Sequence, residues 1–318
     1  MSFDFLIVGA GFYGATFARL ATDAGYSCLV IDRRNHVAGN AYTELDRNTN
    51  IIVHKYGPHI FHTNDEVIWN FVNKFAKFNN YIHTVKAYNH GSLYSLPFNM
   101  NTFYELYKTL TPEEALDAVA DDIEPCDNIE TLEQYALATV GRTVYETLIK
   151  GYTQKQWNKF CSELPASIIK RLPIRWEYNN NYFNDRYQGI PEQGYTTLIE
   201  NMLNGIEVRL NTDMEEIKTG TAKIIVYSGA IDEYFDYCYG HLEYRSLRFD
   251  EHKTPTGQGI AVINYTCDRI PYTRSIDHRY FNPGRSTEGN IRTYEYPVNW
   301  QPGAERYYPV NTAENQVI

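Results

Sequence analysis

Cysteine is scarce in this sequence of 318 residues, and nothing about its placement suggests pairing. The five cysteines are Cys28, Cys126, Cys161, Cys238 and Cys267, an odd and widely scattered set without a CxxC motif. A disulfide-stabilised secreted domain needs an even set of cysteines, whereas isolated thiols are typical of a reducing compartment. The sequence therefore predicts reduced thiols in a cytoplasmic protein.

Positive charge and long hydrophobic runs are also in short supply. There are 29 Lys and Arg residues against 39 Asp and Glu residues, which gives a formal net charge of -10. Proteins that bind nucleic acid or anionic membranes need clustered cations, so both partner classes are disfavoured, although a local basic pocket for a small phosphorylated ligand is not. No stretch reaches the ~18 apolar residues of a membrane span, and the opening FDFLIVGAG lacks the basic region of a signal peptide. We expect a soluble, cytoplasmic protein without nucleic-acid or membrane partners.

Tyrosine, by contrast, is abundant. The sequence has 28 Tyr against 15 Phe and 4 Trp. A phenol combines a flat apolar face with a hydroxyl group, which suits sugars, nucleobases and phosphate oxygens. Core and interface packing accounts for most of these side chains, so the count favours a polar small-molecule ligand without proving one.

The first 32 residues follow the pattern strand, glycine-rich turn, helix, strand and acid. FDFLIV is a buried-strand run, GAGFYG contains Gly9, Gly11 and Gly14, and YSCLVID ends at Asp32. In a dinucleotide-binding unit the first glycine permits the tight turn, the second lets the backbone approach a pyrophosphate, and the third lets helix and strand pack closely. The terminal acid accepts a hydrogen bond from a ribose hydroxyl. We therefore predict a Rossmann-like dinucleotide-binding fold rather than a merely structural turn.

A basic pair and a Gly-Asn step follow the second strand. Arg33, Arg34, Gly39 and Asn40 lie in RRNHVAGN, where an ordinary NAD enzyme would soon begin another helix. The segment is similar to the second cofactor contact of an FAD protein. The alternative is a solvated basic loop, and we favour FAD.

The remaining sequence predicts two further modules. TPEEALDAVADDI has Thr111 as a helix N-cap with Glu114 three residues later, and it begins a helical stretch. IEVRLNT and KIIVYSG are strand-like, and the second resembles a return to the nucleotide-binding sheet, while LEYRSLRF, GIAVINYT, PYTRSI and IRTYEYPV indicate an antiparallel sheet. The predicted fold class is α/β: a Rossmann-like FAD-binding domain with an inserted helical bundle and a twisted antiparallel sheet domain. The predicted segments are 1–75 (FAD-binding, first part), 76–99 (sheet, first part), 100–160 (helical bundle), 161–199 (substrate loop and sheet), 200–232 (FAD-binding, return) and 233–318 (antiparallel sheet).

The stretch HKYGPHIFHTN raises the question of a metal site. His59 and His62 are three residues apart, a spacing that suits two ligands on one helical face. The corner at Gly57 and Pro58 argues against a regular helix, and no Cys or Glu ligand pattern accompanies the histidines. We predict no metal.

Long motifs in order along the chain carry a family resemblance. They include GAGFYGA, KYGPHIFHTN, SLPFNMNTF, IKGYTQKQW, ELPASIIKRLP, NNYFNDRYQGIP, PYTRSIDH and RYYPVN. Together they resemble the UDP-galactopyranose mutases, and the resemblance extends from residue 3 to about residue 311. It implies an isomerase that interconverts UDP-galactopyranose and UDP-galactofuranose for a cell-surface polysaccharide, working as a cytoplasmic homodimer. It also implies FAD in its reduced form, whose N5 attacks the anomeric carbon with UDP as the leaving group.

The resemblance also implies roles for individual residues. Tyr152 would stack on uracil, Arg171 would close over the diphosphate on a mobile loop, and Arg274 would be the fixed second cation. Without the family, the aromatics of this helix would be assigned to the core and the isolated arginines to the surface. The implied catalytic residues are Arg171, Arg274, His59 and His62. The implied cofactor-binding residues are Gly9, Gly11, Phe12, Gly14, Asp32, Arg33, Gly39, Asn40, Tyr56 and His59. The implied substrate-binding residues are Tyr152, Thr153, Trp157, Arg171, Tyr182, Phe183, Arg245, Asn264, Arg274 and Tyr308.

The sequence departs from the family pattern at several points. Asp32 stands where Glu is common, Ala38 and Gln193 stand where Gly is usual, and Ala230 stands where Pro is common. The sequence ends after RYYPVN, whereas the family continues into a segment that contacts FAD and substrate. One alternative therefore stays open: an FAD- or UDP-sugar-binding protein without turnover. A second alternative is a flavin oxidoreductase of the amine-oxidase type, which shares the GxGxxG opening but would not need the residues for uracil and diphosphate.

Overall fold

The computed structural model describes residues 2–170, 174–301 and 303–310, together with Asn315 and Val317. The strands, in chain order, are β1 (Phe3–Val8), β2 (Cys28–Ile31), β3 (Thr43–Asp46), β4 (Ile51–His54), β5 (Phe61–Thr63), β6 (Val85–Asn89), β7 (Ser92–Leu96), β8 (Tyr187–Gly189), β9 (Glu207–Arg209), β10 (Ala222–Tyr227), β11 (Tyr244–Thr254), β12 (Val262–Tyr265), β13 (Arg274–Asp277), β14 (Asn290–Asn299) and β15 (Tyr308–Pro309). The helices are α1 (Phe12–Asp23), α2 (Glu66–Val72), α3 (Met100–Tyr107), α4 (Pro112–Asp122), α5 (Leu132–Val144), α6 (Lys150–Trp157), α7 (Gly194–Met202) and α8 (Ile231–Tyr234).

A four-stranded parallel sheet forms the first module, in the order β10-β1-β2-β9. The apolar runs of β1 and β2 lie at its centre, and every residue of β2 is buried, as expected for strands covered on both faces. Helix α1 packs against them through Gly14, Ala15 and Ala18. The two outer strands come from much later in the chain, so the sheet is completed only after a long excursion.

That excursion contains a helical bundle formed by α3 to α6. Helix α4 begins as its sequence predicts, because the Thr111 hydroxyl accepts a hydrogen bond from the Glu114 amide and the Glu114 carboxylate accepts one from the Thr111 amide. Helix α5 bends at Gly141, whose φ of 79° is outside the helical region. A π-helical turn, Tyr145–Ile149, then leads directly into α6. The bundle core includes Phe103, Leu132, Val144 and other apolar side chains from each helix.

A seven-stranded sheet forms the third module, in the order β15-β11-β14-β13-β12-β6-β7. Its strands pair in antiparallel fashion, as predicted, except that β12 and β6 are parallel. These two strands are far apart in sequence, so no short hairpin has to join them and a parallel pairing is sterically available. The exception joins the early and late halves of the chain in one sheet.

The predicted fold class is confirmed: an α/β dinucleotide-binding sheet, an inserted helical bundle and a largely antiparallel sheet. Tyr81, Ile190, Tyr195, Ile276 and Phe281 belong to the apolar cluster between the modules. Among the described residues, no helix combines the length and apolar character needed to cross a bilayer.

Candidate functional site

A cavity of about 860 Å³ opens at the carboxyl ends of β1 and β2. This is the edge of a parallel sheet where ligands bind in doubly wound folds. Seven of the predicted cofactor residues line the cavity: Gly9, Gly11, Phe12, Asp32, Arg33, Gly39 and Asn40. Later segments close its other sides, including Ser228, Glu233, Glu305 and Arg306.

Each glycine of the first turn lacks a side chain for a different structural reason. Gly9 has a φ of 107°, and a Cβ there would lie 2.2 Å from the Ser228 hydroxyl. A Cβ on Gly14 would lie 1.9 Å from the Gly9 carbonyl, so this glycine packs the helix against the turn instead of lining the cavity. A Cβ on Gly11 would meet only Gly39, at 3.8 Å, so Gly11 keeps the cavity open where helix α1 begins.

Asp32 holds the two loops at the cavity together. Its carboxylate accepts hydrogen bonds from the Ala10 amide at 2.8 Å and from the Arg34 amide at 2.9 Å. Each carboxylate oxygen retains a further acceptor position. Asp32 can therefore fix the glycine-rich turn and still accept from a ligand hydroxyl.

Arginines supply positive charge beside this turn. Arg34 donates to the Asn40 side chain at 2.8 Å, forms an ion pair with Glu305, and lies 4.7 Å from the Tyr56 ring centre. Its buried Nη1 has no hydrogen-bond partner among the described residues. Arg33 Nη1 lies 3.7 Å from Glu233 Oε1. An orphaned guanidinium N–H beside a cavity is a ready donor for an anionic group.

These features fit a dinucleotide. Gly11 caps helix α1 without a side-chain hydrogen bond, so the first-turn amides are not occupied by a capping side chain. Helix N-termini and a glycine turn accommodate a pyrophosphate, and Asp32 suits a ribose. Tyr56 does not line the cavity. It lies behind the lining residue Arg34, which its ring contacts, and its hydroxyl lies 2.9 Å from His36 Nε2.

A second cluster is centred on Arg274 at the start of β13. Arg274 Nε donates to Glu295 Oε1 at 2.9 Å, and Nη2 lies 2.6 Å from Oε2. The carboxylate is 3 % exposed and the guanidinium side chain 30 %, so the cation is anchored on one side and open on the other. Burial by itself lowers the pKa of Arg274. Glu295 and the nearby phenols Tyr152 and Tyr182 raise the pKa by more than burial lowers it, so the guanidinium stays charged.

Histidine and aromatic rings surround this cation. The His62 ring stacks on Phe183 at 3.7 Å and pairs with Asp185. His59 Nδ1 lies 3.1 Å from the Gly57 carbonyl oxygen, so the Gly-Pro corner holds that ring. Burial lowers the pKa of His59, and Arg274 lowers it further. His62 lies within strand β5 and His59 lies two residues before it, so the two histidines do not share a helical face.

His83 is a residue of this cluster that sequence reasoning missed. Its ring contacts Tyr182 at 5.2 Å and Phe183 at 5.8 Å, and its Nδ1 lies 3.0 Å from the Tyr81 hydroxyl. Burial lowers its pKa to about 4, with Arg274 and His62 contributing. A single histidine in YIHTVKAY carries no motif, so only the three-dimensional contacts reveal it.

The other predicted substrate residues lie around α6 and the large sheet. Asn264 pairs with Arg274 across β12 and β13, and its buried Oδ1 has no hydrogen-bond partner among the described residues. Thr153 is buried. Arg245 lies 5.4 Å from the Trp157 ring centre and also donates to that residue's carbonyl, which joins the end of α6 to the sheet.

Two predicted residues need separate mention. Arg171 lies outside the described residues. Tyr308, in β15, pairs through its backbone with Arg245, in β11. Within the described part of the chain, no group of three or more His, Cys, Asp or Glu side chains is arranged to hold a metal ion.

The fold and the glycine-lined cavity define a dinucleotide-binding protein. A family model for NAD(P)-binding Rossmann-like domains matches residues 7–75, and a model for UDP-galactopyranose mutase matches residues 147–318. A probable UDP-galactopyranose mutase of Klebsiella pneumoniae is 41% identical over 96% of this chain and 81% of its own length. A dTDP-fucopyranose mutase of Escherichia coli is also 41% identical, over 98% of this chain and 86% of its own length.

Solved structures agree on the fold. The crystal structure of a reduced UDP-galactopyranose mutase has a TM-score of 0.71 at 12% identity and covers 99% of this chain and 86% of its own. An oxidoreductase from Methanosarcina mazei has a TM-score of 0.59 at 13% identity and covers 94% and 79%. The chain belongs to the UDP-galactopyranose mutase family, whose members are isomerases with FAD as cofactor.

Two glycine substitutions should separate cofactor binding from folding. Gly11→Ala meets only ordinary contacts within the protein, so we expect normal folding but roughly tenfold weaker FAD binding, because the methyl group enters the cavity. Gly14→Ala meets the Gly9 carbonyl and should instead destabilise the protein by about 1–3 kcal/mol. Flavin absorbance per protein and the thermal unfolding midpoint measure the two effects. Full flavin content in Gly11→Ala would contradict the assignment of the cavity.

The buried His83 predicts loss of stability in acid. An unfolded imidazole protonates near pH 6.5, whereas the pKa of native His83 is about 4, so between these values the unfolded state binds more protons. Lowering the pH from 7 to 5 should therefore cost roughly 2 kcal/mol of unfolding free energy through this residue. His83→Asn should reduce the difference in unfolding free energy between pH 7 and pH 5 by that amount, as measured by denaturant unfolding at the two pH values. His90→Asn, at a position where the side chain is 52% exposed, is the control for the His-to-Asn substitution itself.

Proposed function

We propose that this protein interconverts UDP-galactopyranose and UDP-galactofuranose with FAD bound at the glycine-lined cavity. The observation that carries the proposal is the position of Arg274, an anchored cation close to Tyr152, Tyr182 and a group of histidines. A nucleotide sugar offers a base, a diphosphate and a polyhydroxylated ring. The cluster offers an aromatic side chain, a guanidinium and imidazoles for those three parts.

Arg274 is suited to the diphosphate. Its Nε and Nη2 point to Glu295, whereas Nη1 makes no hydrogen bond to any other described residue. A guanidinium oriented by a buried carboxylate can donate to phosphate oxygens without first losing side-chain freedom. Such a cation stabilises the charge that accumulates on UDP as the glycosidic bond breaks. Arg171 is the second cation of the proposal, from the family resemblance.

Tyr152 and Trp157 are assigned to the uracil, with Thr153 beside them. The aromatic and imidazole side chains His59, His62, His83, Tyr182 and Phe183 are assigned to the sugar. Burial keeps His59 and His83 neutral at pH 7. Nδ1 of each ring is already engaged, with the Gly57 carbonyl in His59 and the Tyr81 hydroxyl in His83, so Nε2 is the atom of each ring that can contact a sugar hydroxyl. A neutral imidazole can hold or release a proton as the sugar ring opens and closes.

FAD, when bound in its reduced form, supplies the nucleophile for the anomeric carbon. The residues of this chain hold it through the glycine turn, Asp32 and Arg34. Phe12 of the cavity lining packs against the apolar cluster that contains Tyr81, Tyr195 and Phe281, so this side of the cavity is closed by buried apolar side chains. We expect the enzyme to act as a cytoplasmic homodimer, as the family resemblance implies.

A second candidate substrate is dTDP-fucopyranose, because a relative with that activity in its name is as similar as the galactose enzyme. The two nucleotide sugars share a pyrimidine and a diphosphate, the groups assigned to Tyr152 and Arg274. They differ at the ribose 2′-hydroxyl, the pyrimidine methyl and the sugar C6 hydroxyl. Comparing kcat/KM for both identifies the preferred substrate.

Turnover under reducing conditions tests the function directly. Purified protein should contain flavin and should convert UDP-galactofuranose to UDP-galactopyranose when dithionite is present, with little conversion when it is oxidised. Chromatographic separation of the two isomers measures the product. Bound, reducible flavin without conversion of either nucleotide sugar would overturn the proposal in favour of a binding protein.

Substitution of Arg274 tests the diphosphate contact. Arg274→Ala should lower kcat/KM by about 100-fold or more, because a charge-stabilising donor is lost. It also leaves Glu295 buried and unpaired, which destabilises the fold, so Arg274→Ala combined with Glu295→Gln should recover the unfolding midpoint but not the activity. Arg248→Ala, in β11 on the far side of β14 and more than half exposed, is the matched control. Near-normal turnover in the double variant would contradict the role of Arg274.

A further inference from the structure

One face of the segment around α6 docks against the connection between β12 and β13. Thr147, Gly151 and Lys155 are spaced four residues apart, so they form a stripe along the helix. All three contact the residues that follow β12. Each does so through a polar or backbone group instead of an apolar side chain.

The first two contacts bring the backbones together. A Cβ on Gly151 would lie 2.0 Å from the Thr266 carbonyl oxygen, so only glycine allows this approach. The Thr266 hydroxyl donates to the Thr147 carbonyl at 2.7 Å. Asn89, at the end of β6, also donates to the Thr147 carbonyl, at 2.8 Å. The helix and the sheet are thus joined by a close approach of their backbones and by hydrogen bonds to a backbone carbonyl.

Lys155 makes the most concentrated contact of the stripe. Its ammonium lies within hydrogen-bond distance of four backbone carbonyls, at 2.6 Å from Tyr265, 3.0 Å from Cys267, 2.9 Å from Ile270 and 3.1 Å from Tyr272. Burial lowers the pKa of Lys155 to about 8, so it is protonated at pH 7. One charged group therefore gathers the carbonyls of a connection that has no regular secondary structure of its own.

The two ends of this contact carry residues of the proposed site. Tyr152 lies in the same helix as Lys155, and the gathered connection runs from Asn264 at the end of β12 to Arg274 at the start of β13. We propose that Lys155 is a positioning residue that sets Arg274 and Asn264 relative to Tyr152, and so fixes the distance between the pyrimidine and diphosphate sites. This inference rests on the proposed function of Arg274 and Tyr152 in nucleotide binding.

The physical reason is that one ammonium serves carbonyls along the whole connection, from Tyr265 to Tyr272. An ammonium carries three N–H donors, so at least two of the four carbonyls share one N–H, and the loss of the ammonium affects all four carbonyls together. Without the cation, the carbonyls would lie buried and unpaired or would move toward water. Since β13 begins two residues after Tyr272, such a movement is transmitted to Arg274.

The test measures UDP binding by calorimetry and turnover of UDP-galactofuranose, using the protein as purified. Lys155→Met should weaken UDP binding by about tenfold or more, with a larger effect on KM than on kcat. Lys155→Gln, which keeps two N–H donors, should show a smaller loss and provides the comparison if the Met variant does not fold. Lys150→Met is the matched control, because that lysine lies in the same helix but faces Glu146 at the surface.

A double-mutant cycle separates positioning from general stability. If Lys155 acts through Arg274, then the Lys155 substitution should cause little further loss of UDP affinity once Arg274→Ala and Glu295→Gln are present. Additive losses, or unchanged affinity in both Lys155 variants, would overturn the inference. Failure of the wild-type protein to bind UDP would instead refute the proposed function, so the two outcomes are distinguishable.

Discussion

The parallel pairing of β1 with β10 is the constraint on which this architecture depends. It places Phe3 beside Ala222, so nearly everything between them is an excursion from one sheet that must return to its edge. The helical bundle and two of the seven strands of the large sheet, β6 and β7, lie within that excursion. A ligand cavity at the end of β1 is therefore lined both by the first turn of the chain and by segments that come after the return, such as Ser228 and Arg306.

A second parallel pairing also connects segments that are far apart in the chain. The parallel pair β6 and β12 joins a strand inside the excursion to one beyond it, and the Lys155 ammonium ties the bundle to the same region. The three modules thus share backbone hydrogen bonds as well as apolar contacts. For that reason the proposed nucleotide site can use residues from the bundle, the sheet and the connecting loops with each held in a defined place.

Local features of the fold were predictable from the sequence, and contacts between distant residues were not. The strand at FDFLIV, the cap at Thr111 and the strand ending before Asp32 each depend on residues within one short window. The parallel pairing of β12 was missed, because sequence patterns give strand faces but not strand partners. In the site, glycines and arginines were predicted from motifs or the family resemblance, whereas His83 and Lys155 act through neighbours far along the chain. The partners Glu295 and Glu305 were missed for the same reason.

The ion pair between Arg274 and Glu295 has a consequence for how ligands leave. Glu295 orients the guanidinium but also offsets part of its charge, and it accepts a hydrogen bond from Thr273 as well. At the proposed diphosphate site, the Arg274 guanidinium is therefore already oriented, but Glu295 weakens its electrostatic attraction for the diphosphate. In the proposed reaction the leaving group must return to the same sugar and then depart with it, so moderate ground-state attraction would shorten the residence time of the product.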